Sequence, residues 1–214
     1  MRKRIGFACI AMGIVCLLTA IGFVIYNGYE ARYGEKNSQE LLQNIQDRIQ
    51  KAEQTEQTQP GDLPAETIPE NDQEDTSRLM QTVPVGEYDS IGILSIPVLE
   101  LDLPVLTDWS YTKLKKAPCL YYGTCYGSDF VIAAHNYKAH FGRLSELQPG
   151  DLVIFTDVNG VVYCYEVVLV ETLPKEATRE MITSGFGLSL YTCTPGGGSR
   201  VTVRCNLKET YHPG

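Results

Sequence analysis

Short apolar runs separated by turn residues dominate the second half of the chain. They have the length and the β-branched and aromatic content of strands, and they cover residues 91–97, 99–106, 127–134, 152–157, 161–171, 188–192 and 201–205. Asn159-Gly160 separates two of the runs and strongly indicates a hairpin. Many short strands, with one or two short helices such as 109–116, predict a mostly β domain over residues 83–210 that closes into a barrel.

The first half of the chain begins with an apolar stretch of different character. Residues 5–26 carry no charged side chain and would form a helix about 33 Å long, enough to cross a bilayer. A cleavable signal peptide is the alternative, but the apolar run continues to Tyr26 with no small-residue cleavage site behind it. We therefore predict an uncleaved transmembrane anchor over residues 5–26.

The basic residues Arg2, Lys3 and Arg4 stand in front of this anchor. By the positive-inside rule they place the tail 1–4 in the cytoplasm and everything after the anchor outside. The sequence thus predicts a single-pass protein of the cell membrane with an extracellular folded domain and a short tail at 211–214.

Residues 27–82 are predicted to form an exterior stalk. Leu41, Leu42, Ile45 and Ile49 recur at helical spacing, which predicts a short amphipathic helix over 38–52. A solvated helix is favoured over a membrane-surface or partner-binding one. Residues 53–75 have almost no aliphatic side chains and are predicted to be disordered. Most of the net charge of −8 lies in the stalk, and this acidity argues against a nucleic-acid partner.

Candidate chemistry first appears where one strand ends and the next begins. Cys193 ends the run 188–192, Pro195 and three glycines form a turn, and Arg200 opens the run 201–205. The short connection makes the two strands neighbours, so that thiol and guanidinium lie at one end of a sheet. A fixed cation beside a sulfur favours the thiolate and can stabilise an oxyanion.

A nucleophilic cysteine also needs a proton-transfer partner. Of the three histidines, His135 follows an apolar run of strand length, as Cys193 does. His140 lies in a stretch of mixed polarity and His212 in a polar tail, so both are predicted to be solvated loop residues. His135 is therefore the candidate.

These residues carry a family resemblance. Ser189-Leu190-Tyr191-Thr192-Cys193 with Arg200 on the next strand resembles the sortase signature, and Ala134-His135-Asn136 matches the histidine strand of that family. The segment from Phe141 to Asp151 is similar to the one that follows this strand in sortases. The resemblance spans residues 86–207. It implies a closed eight-stranded β-barrel that cuts a sorting peptide and joins it to an amine.

The resemblance also implies roles for single residues. Cys193 is the expected nucleophile, His135 the acid–base residue and Arg200 the donor to the oxyanion, while Thr192, Ala134 and Asn136 are expected to line the substrate groove. The usual peptide of the family resembles Leu-Pro-x-Thr-Gly. Its amine comes from a cell-wall precursor or a pilin lysine, and no cofactor is required.

The subclass stays open at this point. The segment Thr192–Arg204 is similar to that of the pilin-polymerising class C, but the lid motif Asp-Pro-aromatic of that class is absent, since Asp108-Trp109 lacks the proline. The interval from His135 to Cys193 is too short for the helical insertion typical of class B. Residues 172–187 form the expected specificity loop, with glycines that indicate mobility. Some relatives bind calcium there, and Glu171, Glu176 and Glu180 are weak candidate ligands.

The remaining cysteines suggest other chemistry only weakly. Cys119 with Cys125, or Cys164 with Cys205, could form disulfides, but sequence alone gives no geometry. The predicted exterior domain contains no Cys-x-x-Cys pair, so a metal site ranks low. Arg204, four residues beyond Arg200, is expected to tolerate lysine.

Three rival functions are weighed against a sortase. The L,D-transpeptidases carry a Ser-His-Gly-Cys block that this chain lacks, and papain-like enzymes have cysteine before histidine, the reverse of the order here. The third rival is a non-catalytic, membrane-anchored surface barrel that binds a peptide or partner protein. This hypothesis explains a binding groove, but it does not explain why His135, Cys193 and Arg200 occur together.

The predicted topology has a direct test. Protease applied to the outside of intact cells should release a fragment that contains residues 83–214, because only the tail 1–4 lies on the cytoplasmic side. Immunoblotting with an antibody against the C-terminal domain detects the fragment. A fully protected domain, or a mature chain free in the medium, would contradict the anchor.

Overall fold

The computed structural model describes residues 2–56 and 79–212 of the chain. Its helices and strands, in chain order, are α1 (Arg2–Glu56), β1 (Val83–Val85), β2 (Tyr88–Ile96), β3 (Leu101–Leu106), α2 (Tyr111–Leu114), β4 (Cys119–Tyr122), β5 (Phe130–Ala133), β6 (Leu152–Asp157), β7 (Val162–Pro174), α3 (Thr178–Ile182), β8 (Leu188–Cys193) and β9 (Ser199–Tyr211). Single-turn 3-10 helices lie at Pro97–Leu99 and Leu144–Glu146.

Eight of the strands close into a ring. The sheet runs in the order β1-β2-β3-β4-β5-β8-β9-β7-β6, and β6 pairs back onto β2, so β2 to β9 form a closed circuit with β1 outside it. The seam is weakest between β3 and β4, which meet only at Leu106 and Cys119. The prediction of a mostly β fold with eight strands in a closed arrangement is confirmed.

The observed strands differ from the predicted apolar runs at β1, β4 and β9. β9 extends to Tyr211, although only 201–205 is predicted, and it pairs with β7 over nearly the whole length of both strands. Residues 206–211 are all exposed, so backbone pairing with β7 rather than apolar alternation keeps them in the sheet. The three-residue strand β1 and the four-residue strand β4 are absent from the predicted runs.

The interior of the ring is filled by side chains from all of its strands. Phe130 and Phe155 meet edge-to-face at 5.1 Å, and both are fully buried. Gly92 permits the close approach of β6, because a Cβ there would lie 2.1 Å from the Thr156 carbonyl oxygen. Neither candidate disulfide forms, since Cys119, Cys125, Cys164 and Cys205 are buried free thiols.

Helix α1 consists of an exposed apolar segment followed by a segment that packs on the folded domain. Every side chain from Met12 to Tyr26 is exposed, and the length and composition of the helix would allow it to cross a membrane within Met12–Asp47. Farther on, Leu41 and Ile45 pack against Val85, Leu106 and neighbouring residues of the ring. The prediction of a solvated stripe is therefore wrong. Residues 53–56 of the predicted disordered segment form the end of α1 instead, and the rest of that segment lies outside the described residues.

A buried arginine holds the loop between β7 and β8 in place. Arg204 is only 2% exposed. Its guanidinium donates from Nε to Glu171 Oε1 at 2.8 Å, from Nη1 to Ser189 Oγ at 2.8 Å and from Nη2 to the Glu180 carbonyl oxygen at 2.8 Å. One side chain of β9 thus ties together β7, β8 and α3.

The far end of the same loop is fixed by an aspartate. Asp129 Oδ1 accepts hydrogen bonds from the Ser184 backbone at 2.6 Å, from Ser184 Oγ at 2.9 Å and from the Gly185 backbone at 2.8 Å. The glycine content of the loop suggests mobility. In the structure, however, Arg204 and Asp129 anchor the loop at two points.

Arg204 is consequently unsuitable as a neutral control, contrary to the expectation from sequence. Lysine keeps the charge but cannot supply three donors in fixed directions. We expect Arg204→Met to cost roughly 3 kcal/mol, because it removes three hydrogen bonds of a buried guanidinium, and to lower the melting temperature by on the order of 10 °C. The melting temperature of Arg204→Lys should lie between those of the wild type and Arg204→Met. Calorimetry measures the melting temperature of both variants.

The exposed Arg179, on α3 of the same loop, gives the matched comparison. Arg179→Lys should leave the melting temperature unchanged, and amide hydrogen exchange over residues 175–187 should rise only in the Arg204 variants. Equal behaviour of the two lysine variants would show that Arg204 does not anchor the loop.

Candidate active site

Two parallel strands bring the candidate nucleophile and the candidate base to one edge of the sheet. In the β5–β8 pair, Ala133 lies opposite Tyr191. The Ala134 backbone then donates to the Tyr191 carbonyl oxygen at 3.2 Å, and Thr192 Oγ1 donates to the Ala134 carbonyl oxygen at 2.8 Å. His135 and Cys193 follow directly, so both side chains leave the same end of adjacent strands.

The β8–β9 hairpin places the arginine. Cys193 and Arg200 are directly opposite each other in the antiparallel register. Directly opposed residues point to the same face of a sheet, with Cβ atoms about 5 Å apart. The predicted pairing of thiol and guanidinium on neighbouring strands is therefore what the structure contains.

All three predicted catalytic residues line one cavity. His135, Cys193 and Arg200 share it with Pro174 at the end of β7 and with residues of the following loop, namely Lys175, Ala177, Thr178 and Met181. The predicted specificity loop thus forms a wall of this cavity. The structure brings together residues that the sequence places far apart.

Cys193 differs from the other cysteines of the folded domain. It is half-buried and reaches the cavity, whereas Cys119, Cys125, Cys164 and Cys205 are buried. Burial raises the pKa of the Cys119, Cys125 and Cys205 thiols to about 12, which keeps them protonated at neutral pH. Of these cysteines, only Cys193 is exposed enough for a substrate to reach.

His135 lies in a partly desolvated environment. Burial lowers its pKa below the usual value, and Lys115 lowers it further, while Glu30 opposes the shift. The Tyr137 ring stacks on the imidazole with centroids 4.9 Å apart. Nε2 is buried and has no hydrogen-bond partner within residues 2–56 and 79–212. The ring is therefore mainly neutral at pH 7 and can take up a proton.

Arg200 is held by its own loop. Nη1 donates to the carbonyl oxygens of Gly197 at 3.1 Å and Ser199 at 3.0 Å. Throughout the part of the chain that the structure describes, no carboxylate pairs with it. A guanidinium fixed through one nitrogen keeps its other donors available for a ligand.

The three predicted substrate-groove residues occupy different positions. Ala134 is nearly buried at the base of the main cavity. Thr192 is buried, and its hydroxyl is already bonded to the histidine strand. Asn136 is exposed and lines a second cavity that Cys193 also lines, together with Phe141, Gly142, Ser145, Thr192, Thr194, Pro195 and Val201.

Four aromatic side chains form part of the cavity wall that the sequence did not reveal. Trp109 contacts Tyr111 at 5.9 Å and Tyr121 at 5.8 Å, and Tyr121 meets Tyr191 edge-to-face at 5.2 Å between ring centroids. All four line the cavity with Cys193. Their separation in sequence hides the cluster, although an exposed tryptophan beside a short helix is a usable signal.

Two minor site predictions have definite outcomes. His140 is fully buried rather than solvated, and burial lowers its pKa to about 4. His212 is exposed, as predicted. Within the described residues no cluster of acidic, histidine or cysteine side chains could hold a metal ion. Glu171, one of the weak calcium candidates, is instead paired with Arg204.

The fold is shared with solved structures. Sortase A from Corynebacterium diphtheriae, a lid mutant, matches with 22% identity over 58% of this chain and 73% of that one, with a TM-score of 0.52. Sortase A from Listeria monocytogenes is 17% identical over 56% of this chain and 88% of that one, with a TM-score of 0.53. Sortase C-3 from Streptococcus pneumoniae is 22% identical over 85% of this chain and 90% of that one, with a TM-score of 0.51. These likenesses concern the fold alone.

Sequence comparison gives the assignment. A search against curated proteins finds no match. The family model of the sortase domain matches residues 94–208, more than half of the chain, and this stretch contains the cavity residues His135, Cys193 and Arg200. The chain therefore belongs to the sortase family, whose members are cysteine transpeptidases.

Proposed function

We propose that this chain is a membrane-anchored sortase that cleaves a sorting peptide at Cys193 and transfers the acyl group to an amine. The convergence of His135, Cys193 and Arg200 on one cavity carries the proposal. The membrane anchor is α1, whose apolar part is exposed along its whole described length.

The first half of the reaction forms a thioester. Neutral His135 takes the proton of the Cys193 thiol as the sulfur attacks the peptide carbonyl carbon. The carbonyl oxygen becomes an oxyanion, which the free donors of Arg200 stabilise. The carbon–nitrogen bond then breaks, and the His135 imidazolium gives its proton to the leaving amine.

The second half reverses these steps with a new amine. His135 removes a proton from the incoming amine, whose nitrogen attacks the thioester carbonyl carbon. The carbon–sulfur bond breaks, the new amide is released, and the Cys193 thiolate regains its proton from His135. Water in place of the amine would give hydrolysis.

The two cavities beside Cys193 suggest how the substrates enter. One cavity, walled by the loop between β7 and β8 and by aromatic rings, suits a Leu-Pro-x-Thr-Gly-like peptide, with Ala134 in its lining. The other cavity has polar side chains, among them Asn136, Ser145 and Thr194, and suits a hydrated amine. A cell-wall precursor or a pilin lysine would supply that amine. The structure of one neighbour is described as giving insight into pilin substrate specificity, and this supports a pilin lysine as a candidate amine.

A library of Leu-Pro-x-Thr-Gly-like peptides with an added amine tests this function. Wild-type protein should cleave a subset and form a new amide, with a thioester adduct on Cys193 visible by mass spectrometry. Cys193→Ala should lose both products while remaining folded. Cys164→Ala is the matched control and should keep its activity.

Two outcomes would contradict the proposal. Full activity in Cys193→Ala would remove the nucleophile. Wild-type protein that binds a peptide tightly but never cleaves it would favour the non-catalytic barrel.

The Arg200 variants test the oxyanion contact. Arg200→Lys keeps the charge but replaces a planar fork of donors by a flexible ammonium. We expect turnover to fall roughly a hundred- to a thousand-fold, or about 3–4 kcal/mol, and Arg200→Ala to fall further.

Arg179→Lys supplies the comparison, because Arg179 is an exposed arginine on α3, a helix that borders the same cavity. It should stay within about twofold of wild type. If Arg200→Lys and Arg179→Lys have equal rates, Arg200 acts only as a diffuse surface charge.

A further inference from the structure

No carboxylate is hydrogen-bonded to His135 in the described part of the chain, although Glu30 acts on it electrostatically. Catalytic histidines are commonly oriented by a hydrogen bond that the imidazole donates to a third group. Here the contact behind the imidazole is aromatic. Tyr137 stacks on His135 at an interplanar angle of 28°, and Tyr137 in turn packs on the buried His140 with centroids 5.5 Å apart. The orientation of His135 therefore depends on where Tyr137 lies.

Helix α1 covers this tyrosine at a glycine. A Cβ on Gly34 would lie 2.9 Å from Tyr137 Cδ2, 3.1 Å from Tyr137 Cε2 and 3.2 Å from the Lys115 carbonyl oxygen. A side chain longer than hydrogen at residue 34 would have to displace either the ring or the helix. Gly34 thus allows the helix backbone to press directly against the tyrosine ring.

The rest of the contact surface continues along one face of the helix. Gly34, Ser38, Leu41, Leu42 and Ile45 are buried, at the spacing of successive helical turns. We call residues 30–45 the docked segment. Burial of the two leucines and the isoleucine stabilises the contact by removing apolar surface from water.

Polar contacts latch the docked segment to the end of α2. Lys115 Nζ contacts Glu30 Oε1 at 2.8 Å. Lys116 Nζ donates to Tyr33 Oη at 2.6 Å and to Asn37 Oδ1 at 3.0 Å. These contacts fix the rotation of the helix, so that Gly34 faces Tyr137.

We propose that the docked segment positions His135: by holding Tyr137 against the imidazole, it completes the active site only when α1 is packed on the ring. Tyr137 and Gly34 are positioning residues in this arrangement, since neither is placed to touch substrate. The inference rests on the proposed function and adds to it a dependence of turnover on the membrane-proximal helix.

The test uses full-length protein in lipid nanodiscs and the substitution Gly34→Leu. The larger side chain should displace the helix or the ring and lower kcat by about tenfold to a hundredfold, because small misplacements of a catalytic group are costly. KM should stay within about twofold. Gly28→Leu is the matched control, since a Cβ there meets nothing within 4 Å.

NMR titration of His135 measures a property that would not change if the docked segment only stabilised the fold. Tyr137 stacks on its imidazole, Lys115, Glu30 and His140 act on it electrostatically, and Cys193 and Arg200 line the same cavity. Burial is the main cause of the lowered pKa, so loss of the docked contact should raise the titration midpoint toward the ordinary value. The proton would then be bound at higher pH than in wild type. Loss of Glu30 opposes this change but is the smaller effect.

Tyr137 itself provides a second pair of variants. Tyr137→Phe keeps the stacked ring and should retain kcat, whereas Tyr137→Leu should lose it as Gly34→Leu does. If Gly34→Leu fails to fold by circular dichroism, this pair decides the question.

Equal kcat and equal His135 titration in Gly34→Leu, Gly28→Leu and wild type would overturn the inference. So would equal activity in Tyr137→Phe and Tyr137→Leu. Failure of the proposed function is distinguishable, because wild-type protein would then be inactive with every peptide and amine, while the titration of His135 would still report the docked contact.

Discussion

The pairing of three strand ends is the constraint on which the candidate site depends. β5 runs parallel to β8, and β8 runs antiparallel to β9, so His135, Cys193 and Arg200 meet at one edge. Backbone hydrogen bonds, rather than contacts among the three side chains, set this geometry. A shift of one residue in either ladder would turn a side chain to the opposite face of the sheet. The hydrogen bond from Thr192 Oγ1 to the Ala134 carbonyl oxygen further fixes the register of β8 against β5.

The cavity wall needs separate support because it is made of a loop and a short helix. Arg204 and Asp129 provide it with charged groups, three of whose hydrogen bonds run to backbone atoms of the loop. A buried arginine is costly to desolvate, and its three directed hydrogen bonds offset that cost. The loop can therefore contain glycines and still hold one shape beside Cys193. On this account, specificity for a peptide would come from a preformed groove.

Strand ends were predictable from the sequence, and contacts between distant segments were not. The apolar runs before His135 and Cys193 end within one residue of the observed strands, although the first run is predicted longer than β5, and the turn after Cys193 is rich in proline and glycine, so local pattern was sufficient for the strand ends. Leu41 and Ile45 show the helical spacing of any amphipathic helix, which does not reveal what covers them. His140 and Arg204 are polar residues whose burial depends on partners far away in the chain. The apolar segment of β4 is only four residues long, too short for its period to be recognised, and the exposed end of β9 lacks a pattern because backbone pairing keeps it in the sheet.

The continuity of α1 adds a geometric consequence to the proposed anchoring. Tyr26, at the end of the apolar stretch, and Gly34, against Tyr137, belong to one unbroken helix. Eight residues of helix span about 12 Å. If the apolar stretch lies in the bilayer, the helix itself sets the height of His135 above the membrane, and a flexible tether does not. Such an active site would meet peptides and amines that are themselves held near the lipid headgroups.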